Sequence, residues 1–326
     1  MDLSTAYMGF RISNPLIVSS SGLTNSPENI RKCADNGAGA IVLKSLFEEQ
    51  IVADKKKLLD QDDMYFWYPE AIDFVSRFSK EHGIGQYLKL IENAKKAVKI
   101  PLVASINCVS PREWPAFAKE IENAGADGIE LNIFIPPTKM ELTGYKIEET
   151  YLDIVREVRK NTNLPVGVKI GFYFSNLYRT IFKLSNLEID NIVMFNRYYR
   201  PDIDIEKMQI VSNKVFSSPD EITLSLRWIA LLSNIVHCNL IAATGIHDYT
   251  GVIKQIMAGA SAVQLCTTLY KNGFEHISII LNDLENWMKN KKYNNLDSFK
   301  GIITKTEENC VAFERIQFMK KTTGNI

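Results

Sequence analysis

Short apolar runs recur along the chain between stretches of helical spacing: PLIVSS (15–20), AIVLKS (40–45), PLVASIN (101–107), GIELNIF (128–134), PVGVKI (165–170), NIVMFN (191–196), LIAATG (240–245) and AVQLCTT (262–268). Each reads as apolar on both faces, as strands of a sheet covered on both sides should, and each ends in small or polar residues. Between them, PREWPAFAKEIENAGA sets Trp, Phe, Ile and Ala at helical spacing and stops at Gly125; IEETYLDIVREVRKN, SLRWIALLSNIV and DYTGVIKQIMAGA repeat the pattern. Eight alternations predict an α/β fold of the (β/α)8 TIM-barrel type, whose functional groups gather on the loops after the C-terminal strand ends. An open doubly wound sheet is the other arrangement, but no GxGxxG follows the first strand.

Two intervals exceed simple connections: residues 46–84, a long loop after the second strand, and residues 197–223, an insertion after the sixth. Loops of such length in a compact domain commonly carry function. The first contains DMYFWYPEAIDF, whose aromatic content predicts a lid or a subunit contact. Residues 274–316 predict a closing helix and a C-terminal cap. With no low-complexity segment or linker to divide it, the chain is expected to form one domain over residues 1–326.

Composition narrows the partner. Thirty-eight Lys and Arg balance 38 Asp and Glu, so no field favours nucleic acid or an anionic membrane, and a small molecule is the expected ligand. The five cysteines, Cys33, Cys108, Cys238, Cys266 and Cys310, are odd in number and lack CxxC or Cys/His spacing. That argues against a disulfide framework or structural zinc and for a reducing compartment. The N-terminus lacks a signal or transit pattern, and no run approaches the roughly 20 apolar residues of a membrane span. A soluble cytoplasmic protein is expected.

The strand ends carry the candidate chemistry: Ser20, Ser21 and Gly22; Lys44 and Ser45; Asn107 and Cys108; Asn132; Lys169; Asn196; Thr244 and Gly245; Cys266 and Thr267. Two lysines and three asparagines without convergent carboxylates or histidines do not suit a metal hydrolase or a paired-carboxylate site, and no metal is expected. They suit a planar, acceptor-rich ligand that is negative when reduced, as a flavin is. TGIHD and CTTLYKNG, after strands seven and eight, would form its phosphate site, Gly245 letting backbone approach closely. Ordinary roles compete: a lysine such as Lys44 at a strand end is commonly solvated or paired, and Asn132 and Asn196 suit turn caps. Lys169 inside VGVKI is harder to place, because an apolar strand interior expels an unpaired ammonium.

Taken in order, NPLIVSSSG, GAGAIVLKS, GADGIELN, PVGVKI, AATGIHD and AGASAVQLCTTLYKNG resemble the strands and phosphate loops of the dihydroorotate dehydrogenase family, FMN-dependent (β/α)8 barrels; KKYNNLDSFKG resembles its C-terminal region. SLFEEQI, FNRYYRPDIDIE and SLRWIA resemble a divergent, dihydroorotate dehydrogenase-like branch. The resemblance implies an FMN oxidoreductase of CH–CH bonds, of the kind found in pyrimidine biosynthesis, and a homodimer by analogy. It implies that Ser20 and Gly22 pass beside the flavin and that Lys44 contacts its ring, with Ser45 and Asn107 in the same cofactor-binding set. Asn132 would face flavin and substrate, Lys169 the N1/C2 side of the ring, and Asn196 the substrate. Backbone around Thr244, Gly245, Cys266 and Thr267 would hold the phosphate.

The departures are as informative. The family's general base, a Cys or Ser three residues after the strand-four Asn, is replaced by Ile135, and the following amide position by Pro137. The substrate-binding Asn of the family motif NSMGLPN has Met64, in DDMYFWYPEAI, as its nearest counterpart, and SSPDEITL replaces the glycine pair before the seventh helix. Substitute proton carriers are Cys108, Tyr145 and His247, each of which also has an ordinary structural role open to it. Two other functions compete: an FMN-carrying barrel without turnover, serving as redox partner or sensor, and a flavin-free lyase using Lys169 as a Schiff-base nucleophile. No iron–sulfur or nicotinamide motif marks the electron donor or acceptor, and without an N-terminal membrane-docking helix the chain resembles the family's soluble class.

Overall fold

The computed structural model describes residues 1–49, 83–110, 115–198, 200–212, 215–306 and 313. The chain opens with an antiparallel hairpin, β1 (Thr5–Tyr7) and β2 (Phe10–Ile12). Then follow β3 (Leu16–Val18), β4 (Ala40–Val42), the short β5 (Leu46–Phe47), β6 (Leu102–Cys108), β7 (Gly128–Ile133), β8 (Val166–Ile170) and β9 (Asn191–Met194). A second antiparallel hairpin, β10 (Pro201–Asp204) and β11 (Gln209–Ser212), precedes β12 (Asn239–Ala243) and β13 (Ala262–Leu265). Eight of these strands, β3, β4, β6, β7, β8, β9, β12 and β13, pair in parallel, and the β13–β3 and β4–β6 ladders close them into a barrel. All eight predicted strands are present in the predicted order.

Helices cover the outside. Asp248 caps helix Tyr249–Ala258 through a bond to the Gly251 amide, and left-handed Gly259 ends it, so side-chain cap and glycine stop bracket the predicted helical pattern. Outward strand residues such as Val18, Ile41, Leu131, Val168 and Ile192 form one buried cluster with the helices. The inner floor is a second cluster: Tyr7 and Met8 of the first hairpin plug it against Ile17, Val42, Val103, Val193 and Ile241.

Beyond that floor the expectation of strands apolar on both faces fails. Ser19, Ser105, Glu130, Lys169, Asn191 and Gln264 are all buried, at the strand positions whose parity points inward. A closed barrel supplies an interior where polar groups satisfy one another, so inward polarity need not reach water.

Part of the insertion after β9 is the β10–β11 hairpin, followed by the 3-10 turn Pro219–Glu221 and helix Ile222–Leu232. The aromatic segment DMYFWYPEAIDF of the long loop lies outside the described residues. Helix His276–Lys291 and two short 3-10 turns form the first part of the expected closing region, where Asp2 bridges Asn295; beyond residue 306 that region lies, residue 313 apart, outside the described residues. Among the described residues no helix is long and apolar enough to cross a membrane.

Inside the barrel Gly167 is required sterically. A Cβ there would lie 2.0 Å from Asn191 Oδ1. Gly167→Ala is therefore expected to destabilise the fold by about 1–3 kcal/mol, the usual cost of overpacking. Chemical denaturation measures this as a lower midpoint at unchanged slope; a variant as stable as wild type would contradict the close approach.

Candidate functional site

Register sets the centre of the site. Asn107 pairs with Asn132 and Asn132 with Lys169, so three sequence-predicted residues occupy consecutive positions on β6, β7 and β8. Their parity matches that of Val103 and Glu130, which face the interior. Lys169 is 7% exposed. Its Nζ donates to Ser19 Oγ (3.0 Å) and Gln264 Oε1 (2.8 Å). The Gln264 amide in turn donates to Glu130 Oε2. Glu130 is fully buried, and its other oxygen, Oε1, has no partner among the described residues. Burial pushes the Glu130 carboxyl above the usual range, although Lys169 and the Gln264 bond pull against it. Without such partners a buried ammonium costs several kcal/mol.

Sequence reasoning found Lys169 and missed Ser19, Glu130 and Gln264. The available signal was parity: Glu130 lies two positions before Asn132, and Gln264 two before Cys266. Cys266 is connected to the same centre, since burial pushes its thiol up while Lys169 and Ser21 pull it down.

The predicted Ser20 and Ser45 join Ser105, which sequence reasoning missed, in a hydroxyl chain across three strands: Ser20 Oγ lies 2.9 Å from Ser45 Oγ, which lies 2.8 Å from Ser105 Oγ. Lys44 is half-buried beside them, and loss of hydration pushes its ammonium pKa down. Gly22 opens the adjoining 3-10 turn, where a Cβ would sit 2.7 Å from Tyr270 Oη. Asn132 and Asn196 are brought together: Asn196 Nδ2 donates to Asn132 Oδ1 at 2.8 Å.

The loops after β12 and β13 form a separate clasp. Thr244 and Gly245 both have positive φ, 73° and 79°, and a Cβ on Gly245 would lie 2.2 Å from the Ile222 amide nitrogen. Only glycine lets the loop approach the helix start so closely. His247 Nε2 lies 3.2 Å from Ser217 Oγ, and the Thr267 hydroxyl accepts from the Ser217 amide. The His247 carbonyl accepts from Thr268 Oγ1 and lies 2.9 Å from His276 Nε2. Burial and then the Lys271 charge push the His247 imidazole pKa down.

The barrel mouth is aromatic. Phe134 and Tyr198 rings lie 4.3 Å apart, and Tyr173 stacks on Tyr198 at 5.6 Å. Gly171 makes this possible, because a Cβ there would meet Tyr198 Oη at 1.6 Å. A cavity of about 180 Å³ opens beside it, lined by Phe172, Phe195, Asn196, Arg197, Tyr198 and Thr244. Arg197 and Arg200 both reach Glu221 across the cavity wall, at 2.9 and 2.8 Å. Ile135 is half-buried against the outer core, its amide 3.4 Å from Tyr151 Oη. Tyr145 is not brought into this cluster: it is 68% exposed, with Lys183 Nζ 5.8 Å from its ring centroid. The Cys108 side chain and Met64 lie outside the described residues.

The family model described as Dihydroorotate dehydrogenase matches residues 2–288. The catalytic subunit of dihydroorotate dehydrogenase B (NAD(+)) from Thermoplasma acidophilum is 26% identical over 310 residues, covering 92% of this chain and 98% of the relative. That of Pyrococcus furiosus is 26% identical over 316 residues, covering 94% and 100%. The NAD-dependent dihydropyrimidine dehydrogenase subunit PreA of Escherichia coli is 22% identical over 317 residues, covering 92% and 76%.

The buried carboxyl makes stability depend on pH. Because the folded pKa of Glu130 is raised, the native state keeps a proton that the unfolded chain releases above its ordinary value near 4.5. Stability contributed at low pH is therefore lost as pH rises from there through the folded value. Glu130→Gln cannot titrate. Thermal melts between acid and neutral pH are expected to show the variant's Tm gaining on wild type as pH rises, and a constant difference would refute the assignment.

Proposed function

The chain belongs to the dihydroorotate dehydrogenase family, and from that premise we propose that it is an FMN-dependent oxidoreductase of carbon–carbon bonds whose substrate side departs from the family pattern. The observation that carries this reading is the buried Lys169, held by Ser19 and Gln264 at the end of the Asn107–Asn132–Lys169 row. The donor set fits the cofactor: a buried cation with amides in register beside it suits an electron-rich ring edge. In this reading Ser20, Gly22, Lys44, Ser45, Asn107, Asn132 and Lys169 line the ring. Thr244, Gly245, Cys266 and Thr267 hold the phosphate. Bound FMN would supply two-electron hydride chemistry.

The protein's own residues then divide the work. Lys169 favours negative charge above it. Asn132 and Asn196, already joined, orient the reacting carbon at the rim, beside the Phe134–Tyr198–Tyr173 rings, whose outer member Tyr173 is open to solvent. Ile135 accepts no proton where the family base would stand, and a positioned base contributes about 10²- to 10⁴-fold. The proposed substrate is therefore an activated carbon–carbon double bond, reduced with a proton from solvent, in preference to dihydroorotate. A Schiff-base role for Lys169 is disfavoured, since forming the imine would give up the bonds from Nζ to Ser19 and Gln264 that hold it inside the barrel. Relatives named as catalytic subunits support a separate electron partner. The proposal includes one FMN-binding domain over residues 1–326, working as a cytoplasmic homodimer.

Purified protein is expected to carry or take up FMN, read by flavin absorption, and Lys169→Ala to weaken its binding at least about tenfold, equivalent to ~1.4 kcal/mol. A protein that takes up no FMN sinks the reading. Anaerobically photoreduced protein is expected to be reoxidised by an enone faster than by buffer, with orotate and fumarate as reference acceptors. Equal rates with every acceptor would leave a flavoprotein without turnover.

A further inference from the structure

The proposed mechanism uses Lys169 but leaves the carboxylate behind it without a role. Glu130 is the only acidic side chain among the buried residues of the barrel strands described here. It is joined to Lys169 through one side chain: Lys169 Nζ donates to Gln264 Oε1, and the Gln264 amide donates to Glu130 Oε2. An amide bridging an ammonium and a carboxylate transmits the charge of one to the other, and low local dielectric strengthens the coupling.

The surroundings of the second carboxylate oxygen complete the picture. Glu130 Oε1, Tyr7 Oη and both polar atoms of the Asn191 amide are buried without partners among the described residues. Glu130 pairs in register with Gly167, and Gly167 with Asn191, whose Oδ1 occupies the space that a Cβ on Gly167 would need. Tyr7 rises from the floor hairpin close enough to feel the Glu130 charge. Four unpartnered polar atoms in one small interior match what a buried water needs, since such waters make two to four hydrogen bonds.

We propose that Glu130 is a positioning residue for redox chemistry, acting through Gln264 on Lys169: it takes up one proton when negative charge arrives at the ring above Lys169, and so sets the reduction potential there. This rests on the FMN reading. With FMN bound, a hydride donor would deliver two electrons and one proton to it and so lower its net charge by one. Glu130 Oε1, which has no hydrogen-bond partner among the described residues, would bind one further proton drawn from solvent, cancelling that charge, and no other bond changes. The titratable groups facing this unit are Lys169 on β8, Tyr7 on β1, Tyr87 on helix Ile84–Ala97 and Cys266 after β13. Burial pushes the last three up, so they stay neutral while Glu130 titrates.

The test is the midpoint potential of the FMN-loaded protein, measured by spectroelectrochemistry against pH. Wild type is expected to lose potential more steeply with rising pH than Glu130→Gln. At alkaline pH the variant is expected to lie higher, its reduced-over-oxidised affinity ratio raised about tenfold, which is ~30 mV for a two-electron couple. Gln264→Met, which leaves Glu130 in place and cuts the bridge, is expected to flatten the pH profile as well, and serves if Glu130→Gln does not fold. Glu130→Asp, keeping the charge, is expected to restore part of the slope. FMN-loaded variants with the wild-type profile overturn this inference and leave the function reading standing; a protein that binds no FMN overturns both.

Discussion

A lysine ammonium inside a barrel of apolar strands is a severe constraint, and much of the site's architecture follows from satisfying it. Taking such an ion out of water costs several kcal/mol unless its donors are used and its charge is answered. Here the donors go to Ser19 and Gln264, and the charge is answered by Glu130 through the Gln264 amide. These four residues come from β7, β8, β13 and the end of β3. The network exists only when the barrel is closed, so the β13–β3 ladder is as necessary to the chemistry as to the fold.

Close approaches provide the remaining geometry. Gly167 makes room for the Asn191 amide inside the barrel, Gly171 for the Tyr198 ring at the mouth, and Gly245 for the start of helix Ile222–Leu232 at the loop clasp. Each is a place where one missing methyl lets two elements meet at a distance that L side chains forbid. The first shapes the polar chamber under Lys169, the second the aromatic cover above it, and the third the loops beside it. A single vertical arrangement thus runs from floor to rim: apolar plug, carboxylate chamber, ammonium and amide row, then aromatic mouth.

What was legible in the chain follows from the same physics. Strands covered on both sides by helices and barrel interior produce apolar runs strong enough to read singly, and all eight were found that way. Lys169 was conspicuous because it interrupts such a run. Glu130 and Gln264 interrupt theirs no less, but each lies next to a residue that drew attention first, Asn132 and Cys266. Their partnership with Lys169 spans 39 and 95 positions, and no local pattern reports it. The β10–β11 hairpin was hidden for another reason. Its apolar residues, among them Ile203 and Ile210, are exposed, so burial did not shape its alternation. Tyr198 was unremarkable until Gly171, distant in sequence, proved to be the floor on which it lies.

The deep and outer halves of this site are under unequal physical constraint. Below, Lys169, Gln264 and Glu130 are buried and mutually bonded, so removing one leaves an unpaired charge or amide, and such losses commonly cost 3–5 kcal/mol. At the rim, Ile135 is only half-buried, and Asn132 and Asn196 satisfy each other. A rim side chain can therefore change without leaving a buried charge behind, and so without the largest of the usual costs. In the proposed reading this is where Ile135 stands in place of a proton carrier, beside a mouth lined with aromatic rings, while the charged centre is held by its own bonds. That asymmetry would let one barrel keep its charged centre while its rim diverges, as the proposed function requires.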